Sequence, residues 1–226
     1  IDWKKFGENF IENELKLNYS FPTTQIEHYD SFAALCDNCR RINNIILDMC
    51  VDIWLYISKD YFKQKIVKNE VGSSAMPHKV NPIDFENSEG NLGLANSIFD
   101  FMSNKLTKSR LQRDLSDSTV LRNIGVPFGH SIISFESVLK GLDKIFVNEE
   151  KIKMDIEDNW IVISEAIQTI LRREGLSNPY EILKELTRDN NKIDKLSFDQ
   201  FIETLDINES VKNELKQISP HNYTGI

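Results

Sequence analysis

Cysteine is scarce in this chain. Three residues of 226, Cys36, Cys39 and Cys50, are too few and odd in number for a disulfide scaffold, which points to reduced thiols in a cytosolic protein. Cys36 and Cys39 stand in a C-x-x-C, "CDNC", but no second Cys or His pair follows at a finger-like spacing. Buried core thiols are therefore expected, rather than a metal or redox site. Long apolar runs are absent too. No stretch approaches the roughly 18 residues of a membrane span. The first residues, "IDWKKFGENFIENELK", lack a basic region followed by an apolar one, so no secretory leader is expected. They begin without Met inside a helical pattern, and the chain is expected to be part of a longer one. Positive charge is in deficit, with 27 Lys and Arg against 35 Asp and Glu, a net charge of -8. That excludes a globally basic surface for nucleic acid but leaves room for a local cationic pocket. Period-two alternation is missing throughout, so strands are not expected and the fold class is all-α.

What is present is helical periodicity. Phe32, Leu35, Cys39, Ile42, Ile46, Met49, Ile53 and Tyr56 recur at spacings of three and four, with no Gly or Pro between them. This heptad seam predicts a helix over residues 31–58, roughly 40 Å long at ~1.5 Å per residue. Such a length implies a long bundle, one that subunits could share. A second helix is expected from Asn81 as N-cap and Pro82 at the first helical position to about Lys105. Gly90 and Gly93 lie inside it, and close packing or a ligand is expected to require them. A third long helix, capped near Asp117 or Ser118, is expected to kink at Pro127 and break at Gly141. Beyond it the helices shorten, and Ser197 with Gln200 has the spacing of a capping box. A domain boundary is placed near residue 142, giving 1–142 and 143–226.

Between the first two long helices lies "EVGSSAMPHKVNP", residues 70–82, which suits neither helix nor strand. Gly72 gives backbone freedom, Ser73 and Ser74 offer hydroxyls, and Lys79 adds a compact positive charge. Asn81 and a helix N-terminus favour an anion. A closing loop of this kind can hold a carboxylate or phosphate. Beside a cation and convergent N–H groups, a serine alkoxide becomes accessible. The same composition also suits a plain surface loop with an ordinary cap.

"GSSAMPHKVNP" resembles the G-S-S-x-M-P-x-K-x-N-P signature of the fumarase/aspartase superfamily. The stretches "TTQIEHYD", "MPHKVNPIDFENSEGNLGLAN" and "QRDLSDSTVLRNIG" are similar to its adenylosuccinate lyase family, in the bacterial-type branch, as are "PYEILKELTR" and "SPHNYTGI". The resemblance implies a long-helix bundle, with 1–142 a partial central domain and 143–226 a small C-terminal helical domain. It implies β-elimination of fumarate from adenylosuccinate, giving AMP, and from the succinylocarboxamide ribotide of purine synthesis. No cofactor and no metal are implied. The expected partners are adenylosuccinate, AMP and fumarate, in a cytoplasmic homotetramer whose active sites are shared between subunits.

Residue by residue, the resemblance implies that Ser73 is the catalytic serine, acting as base. Ser74, Lys79, Val80 and Asn81 would surround the succinyl carboxylates. Asn87 and Gln25 would contact the substrate. Arg113 and the run Ser118, Thr119, Val120, Leu121 and Arg122 would meet the nucleotide and its phosphate. The family's general-acid histidine has no counterpart among His28, His78, His130 and His221, so the chain is expected to be a C-terminal half that lacks part of the site. His28 is read as either site edge or packing at the helix start, and His78 as either substrate contact or loop hydrogen bonding. His130 is read as helix packing and His221 as surface. Two other readings stay open: another lyase of the superfamily, such as argininosuccinate lyase, and a non-catalytic helical scaffold.

Overall fold

The computed structural model describes residues 1–65, 81–187 and 193–224. The elements run α1 (Trp3–Glu8), a π-helical turn (Asn9–Glu14), α2 (Asp30–Ser58), β1 (Phe62–Gln64), α3 (Ile83–Leu106), α4 (Ser116–Leu121), α5 (Gly125–Leu142), β2 (Ile145–Val147), α6 (Glu149–Glu157), a 3-10 turn (Trp160–Ile163), α7 (Ser164–Arg173), α8 (Pro179–Thr187), α9 (Lys195–Thr204) and α10 (Glu209–Gln217). The fold is helical. The two three-residue strands form a single two-stranded sheet, which the sequence pattern did not signal. They are too short to show alternation. Two compact units divide the chain, one of Ile1–Lys59 with Gln64–Phe146, the other of Asp60–Lys63 with Val147–Ile226. Among the described residues no helix is long and apolar enough to cross a membrane.

The first unit is built on α3, which packs against both α2 and α5. Cys36, Ala95, Phe99, Met102, Leu106 and Val120 form its apolar core, with Phe128 edge-on to Phe99 at 5.0 Å between ring centroids. Several polar residues inside are bonded across the helices, although the buried Ser88 hydroxyl has no hydrogen-bond partner among the described residues. Asn43 on α2 is buried and donates to Asn96 Oδ1 on α3 at 3.1 Å and to Ser131 Oγ on α5 at 3.0 Å. Ser131 in turn donates to the carbonyl of Pro127 at 2.9 Å. Ser134 Oγ, also on α5, reaches the carbonyl of Ser88 on α3 at 3.1 Å. A buried amide left unpaired would cost about 1–3 kcal/mol, so these bonds hold the three helices in one register.

The 29-residue α2 matches the expected helix to within one residue at its start. The stripe it buries within the unit is another matter. Ala33, Cys36, Asn43, Cys50 and Ile53 are buried, whereas Leu35, Ile42 and Tyr56 of the apolar seam are exposed. All three cysteines are free thiols, Cys36 and Cys50 buried and Cys39 half-buried. Burial pushes the Cys36 thiol up to about 11 and raises the other two, so none is a ready nucleophile.

Several expected helix details differ. Pro82, not Asn81, occupies the N-cap of α3, and its carbonyl accepts from the amides of Phe85 at 3.0 Å and Glu86 at 3.1 Å. The expected third long helix is two helices. Tight turns from Asn123 to Val120 and from Ile124 to Leu121 separate α4 from α5. Pro127 therefore sits in the first turn of α5, where its missing N–H had no helical partner to lose, and no kink is needed. Asp194 caps α9, accepting from the Ser197 amide at 2.9 Å, so Ser197 is inside the helix and the expected capping box is displaced. Gly90 and Gly93 face open space rather than a close neighbour. Gly141 does not end α5. The helix stops one residue later, at Leu142, close to the expected break, and Gly141 is buried in its last turn, where a Cβ would lie 2.8 Å from the Phe85 ring.

The second unit packs Trp160, Ile163, Ile167, Leu171, Leu183, Phe198, Ile202, Leu205, Val211 and Leu215 into its own core. Its α7 ends in a Schellman turn. The Gly175 amide donates to the Arg172 carbonyl at 3.0 Å and the Leu176 amide to Leu171 at 3.1 Å, with Gly175 at a φ of +77. His221 lies at the surface of this unit, 2.6 Å from Glu157, whose other oxygen accepts from the buried Trp160 indole at 2.9 Å.

Two glycine substitutions separate these environments. Ala at an open helical position stabilises by up to about 1 kcal/mol. That gain offsets only part of the roughly 1–3 kcal/mol of overpacking at a filled one. In urea unfolding of the chain, Gly93→Ala is expected to raise the midpoint and Gly141→Ala to lower it.

Candidate active site

In the first unit a cavity of about 440 Å³ is lined by Ile26, Tyr29, Arg113, Asp114, Leu115, Asp117, Ser118, Leu121 and Arg122. Three lengths of chain build it: the approach to α2, the loop after α3, and α4. The approach is shaped by local bonds. Thr24 Oγ1 bonds the carbonyl of Ile26, and the Tyr29 amide donates to Glu27 at 3.0 Å. Tyr29 caps α2 in a left-handed conformation, φ 60 and ψ 15, and its carbonyl takes the Ala33 amide at 2.8 Å. A bulky residue seldom adopts this conformation, and here it turns the chain into the helix. His28 serves the same start. Its Nδ1 accepts from the Asp30 amide at 3.2 Å and its Nε2 lies 3.1 Å from Ser20 Oγ.

The charges in the cavity are not equivalent. Arg110 holds Asp114 through two bonds of 3.2 Å, and the Ser116 amide donates to the same carboxylate at 3.0 Å. The Arg110 guanidinium and the Ser116 amide hold the Asp114 carboxyl well below the usual carboxylate range. Asp117 accepts from the Ser118 amide at 2.6 Å and faces the Tyr29 hydroxyl. Burial first, then the Asp117 charge, pushes the Tyr29 phenol above its ordinary value, so it stays protonated. Arg113 and Arg122 differ from Arg110: among the described residues no ion pair holds either of them. Two uncommitted guanidiniums and a serine in one cavity suit a phosphate or carboxylate, which guanidinium binds through paired N–H bonds.

The structure thus brings together Arg113, Ser118, Leu121 and Arg122. Thr119 is exposed on α4 and does not line the cavity. Val120 is buried in the core, which leaves its backbone alone to meet a ligand. Gln25 is exposed next to Ile26. Asn81 is half-buried just before α3. Asn87 lies on α3 outside this cavity, where its Nδ2 donates to Ser137 Oγ at 2.6 Å. Ser73, Ser74, Lys79 and Val80, and with them His78, fall outside the described residues. Tyr29 lines the cavity without having been named from the sequence, and Asp117, expected only as a helix cap, lies in the first turn of α4 and lines it too; the left-handed turn at Tyr29 leaves no compositional trace.

The model for the adenylosuccinate lyase C-terminal family matches residues 109–224, just over half the chain. The chain belongs to the adenylosuccinate lyase family. A model for the broader lyase family covers residues 3–96. Adenylosuccinate lyase of Dictyostelium discoideum is 58% identical over 229 residues, covering 100% of this chain and 49% of the relative. Those of Legionella pneumophila (strain Corby) and Escherichia coli (strain K12) are 54% and 48% identical, again over 100% of this chain and 49% of each relative. The chain therefore spans about half the length of the curated relatives it matches. A fumarate lyase (delta crystallin) structure from Brucella melitensis shares the fold, with a TM-score of 0.56, 18% identity, and coverage of 84% of this chain and 41% of that one.

The Asp114 bonds predict a pH effect with a definite sign. Its folded-state pKa is lowered, so its stabilisation is present above the unfolded value of about 3.9 and is lost as pH falls through the folded one. Asp114→Asn is expected to lower stability at pH 7, and the gap from the unsubstituted chain to narrow as pH falls below about 4. Chemical unfolding of both proteins across that range measures the gap.

Proposed function

We propose that this chain forms part of an adenylosuccinate lyase, a carbon–nitrogen lyase that releases fumarate from adenylosuccinate and from the succinylocarboxamide ribotide of purine synthesis. One observation carries the reading: Arg113 and Arg122, neither held by an ion pair among the described residues, converge with Ser118 on one cavity. In this reading they take the nucleotide phosphate, and the other members of the Ser118–Arg122 run shape the same binding region. Gln25 and Asn87 contact the substrate, and Ser74, Lys79, Val80 and Asn81 hold the succinyl carboxylates. A net charge of -8 does not oppose this, because a few local cations set the field at the site.

Ser73 acts as the base. It removes a proton from the succinyl β-carbon, and the electron pair left behind spreads onto the adjoining carboxylate. The carbon–nitrogen bond then breaks, the double bond of fumarate forms, and the departing nitrogen takes a proton from a general acid. None of His28, His78, His130 and His221 matches that acid, so another part of the enzyme supplies it. Donors that grip the charge-rich carboxylate more tightly than the starting one lower the barrier.

The partial central domain, 1–142, carries the site, and 143–226 is the small C-terminal domain. A homotetramer is supported by apolar side chains left uncovered on the long helices, Leu35, Ile42 and Ile45 on α2 and Ile132, Ile133 and Leu139 on α5. The free thiols accord with a cytoplasmic location.

The test is fumarate release from adenylosuccinate by this chain, alone and mixed with the N-terminal half of the Dictyostelium relative. The mixture is expected to turn over and the chain alone to be inactive. Ser73→Ala should cut the mixture's rate by about 100-fold or more, as loss of a general base does. Silence in an assembled mixture, or full activity with Ser73→Ala, would contradict the reading.

A further inference from the structure

Asn87 is not isolated on α3. Its amide is one link in a chain of side chains that continues through Asn91 to His130. Asn91 Nδ2 donates to the Asn87 carbonyl at 2.9 Å and to Asn87 Oδ1 at 3.1 Å. His130 Nδ1 lies 2.7 Å from Asn91 Oδ1. At the other end Asn87 Nδ2 meets Ser137 Oγ at 2.6 Å.

The direction of every bond follows from one group that cannot reverse. A backbone carbonyl only accepts, so the nitrogen of Asn91 must face the Asn87 carbonyl. Asn91 Oδ1 must then face His130, and His130 Nδ1 must carry the proton. The same Asn91 nitrogen fixes Asn87 Oδ1 as an acceptor, which turns the Asn87 nitrogen outward. One of its two hydrogens goes to Ser137. The other remains on an exposed residue.

We propose that Asn91 and His130 are positioning residues that lock the Asn87 amide with a hydrogen-bond donor presented to an anionic oxygen of the substrate. The assignment of Asn87 as a substrate contact rests on the lyase reading; the bond directions do not. With the donor fixed before binding, the amide need not give up its rotational freedom when the substrate arrives.

Two measurements test this. The first is the tautomer of His130, read by nitrogen NMR on the histidine-labelled chain and assigned with His130→Asn. A proton on Nδ1 is expected, and a proton on Nε2 alone would overturn the proposal. The second is kinetics of the active mixture described above. His130→Asn keeps a donor near the Nδ1 position, whereas His130→Gln moves it toward Nε2. His130→Gln and Asn91→Leu are each expected to raise KM by about fivefold with kcat nearly unchanged, the loss of one hydrogen bond. His130→Asn is expected to restore KM to within about twofold. Equal KM in all three variants would overturn the positioning role, even where melting temperatures fall. If the unsubstituted mixture releases no fumarate, the lyase reading fails while the tautomer still decides whether the locked chain exists.

Discussion

The buried amide of Asn43 is the constraint on which the first unit turns. It joins α2 to α3 through Asn96 and α2 to α5 through Ser131, and Asn43 itself is only 1% exposed. Apolar packing among Cys36, Ala95, Phe99 and Met102 is non-directional and by itself sets the register less sharply. A buried polar group accepts one register and penalises the rest. The consequences reach the site. Tyr29 begins α2, Arg113 to Leu115 follow the end of α3, and α4 packs against α3, so a shift of one helix would separate the groups that line the cavity.

Charge is allotted unevenly across that cavity, and the allotment is what gives it a use. Arg110 and Lys105 surround Asp114 and are spent on holding the loop. Among the described residues no ion pair holds Arg113 or Arg122, and the proposed reading gives both to a ligand. The neutral Tyr29 phenol faces Asp117, which keeps that carboxylate engaged beside Arg113 and Arg122. An acidic chain can bind a phosphate in this way because the field is local, and nearby carboxylates that already have partners compete little for the guanidiniums.

Much of the helical skeleton was legible in the sequence. The unbroken pattern from Phe32 to Tyr56 marks α2. Which face of α2 turns inward was not legible. Leu35 is 48% exposed and Ile42 54%, while the polar Asn43 is buried. Periodicity records which residues are apolar, not which neighbour each stripe meets. The break between α4 and α5 was missed for a related reason: Arg122, Asn123 and Ile124 carry no strong stop signal, and the turns there form through tight backbone bonds. At the site, Arg113 and Ser118–Arg122 were picked out by resemblance to a long motif. Tyr29, Asp117, Asn91 and His130 were not. Their roles come from a left-handed turn and from the direction of side-chain bonds between helices, neither of which leaves a mark in residue order.

The central claim is that the Arg113–Ser118–Arg122 cavity receives the phosphate of a nucleotide. Calorimetric titration of AMP into this chain, beside its Arg122→Ala variant, tests it most directly. The account predicts measurable binding that weakens with added salt and falls about tenfold or more in the variant, as loss of a charge-assisted bond requires. Equal affinity in the two proteins would contradict it.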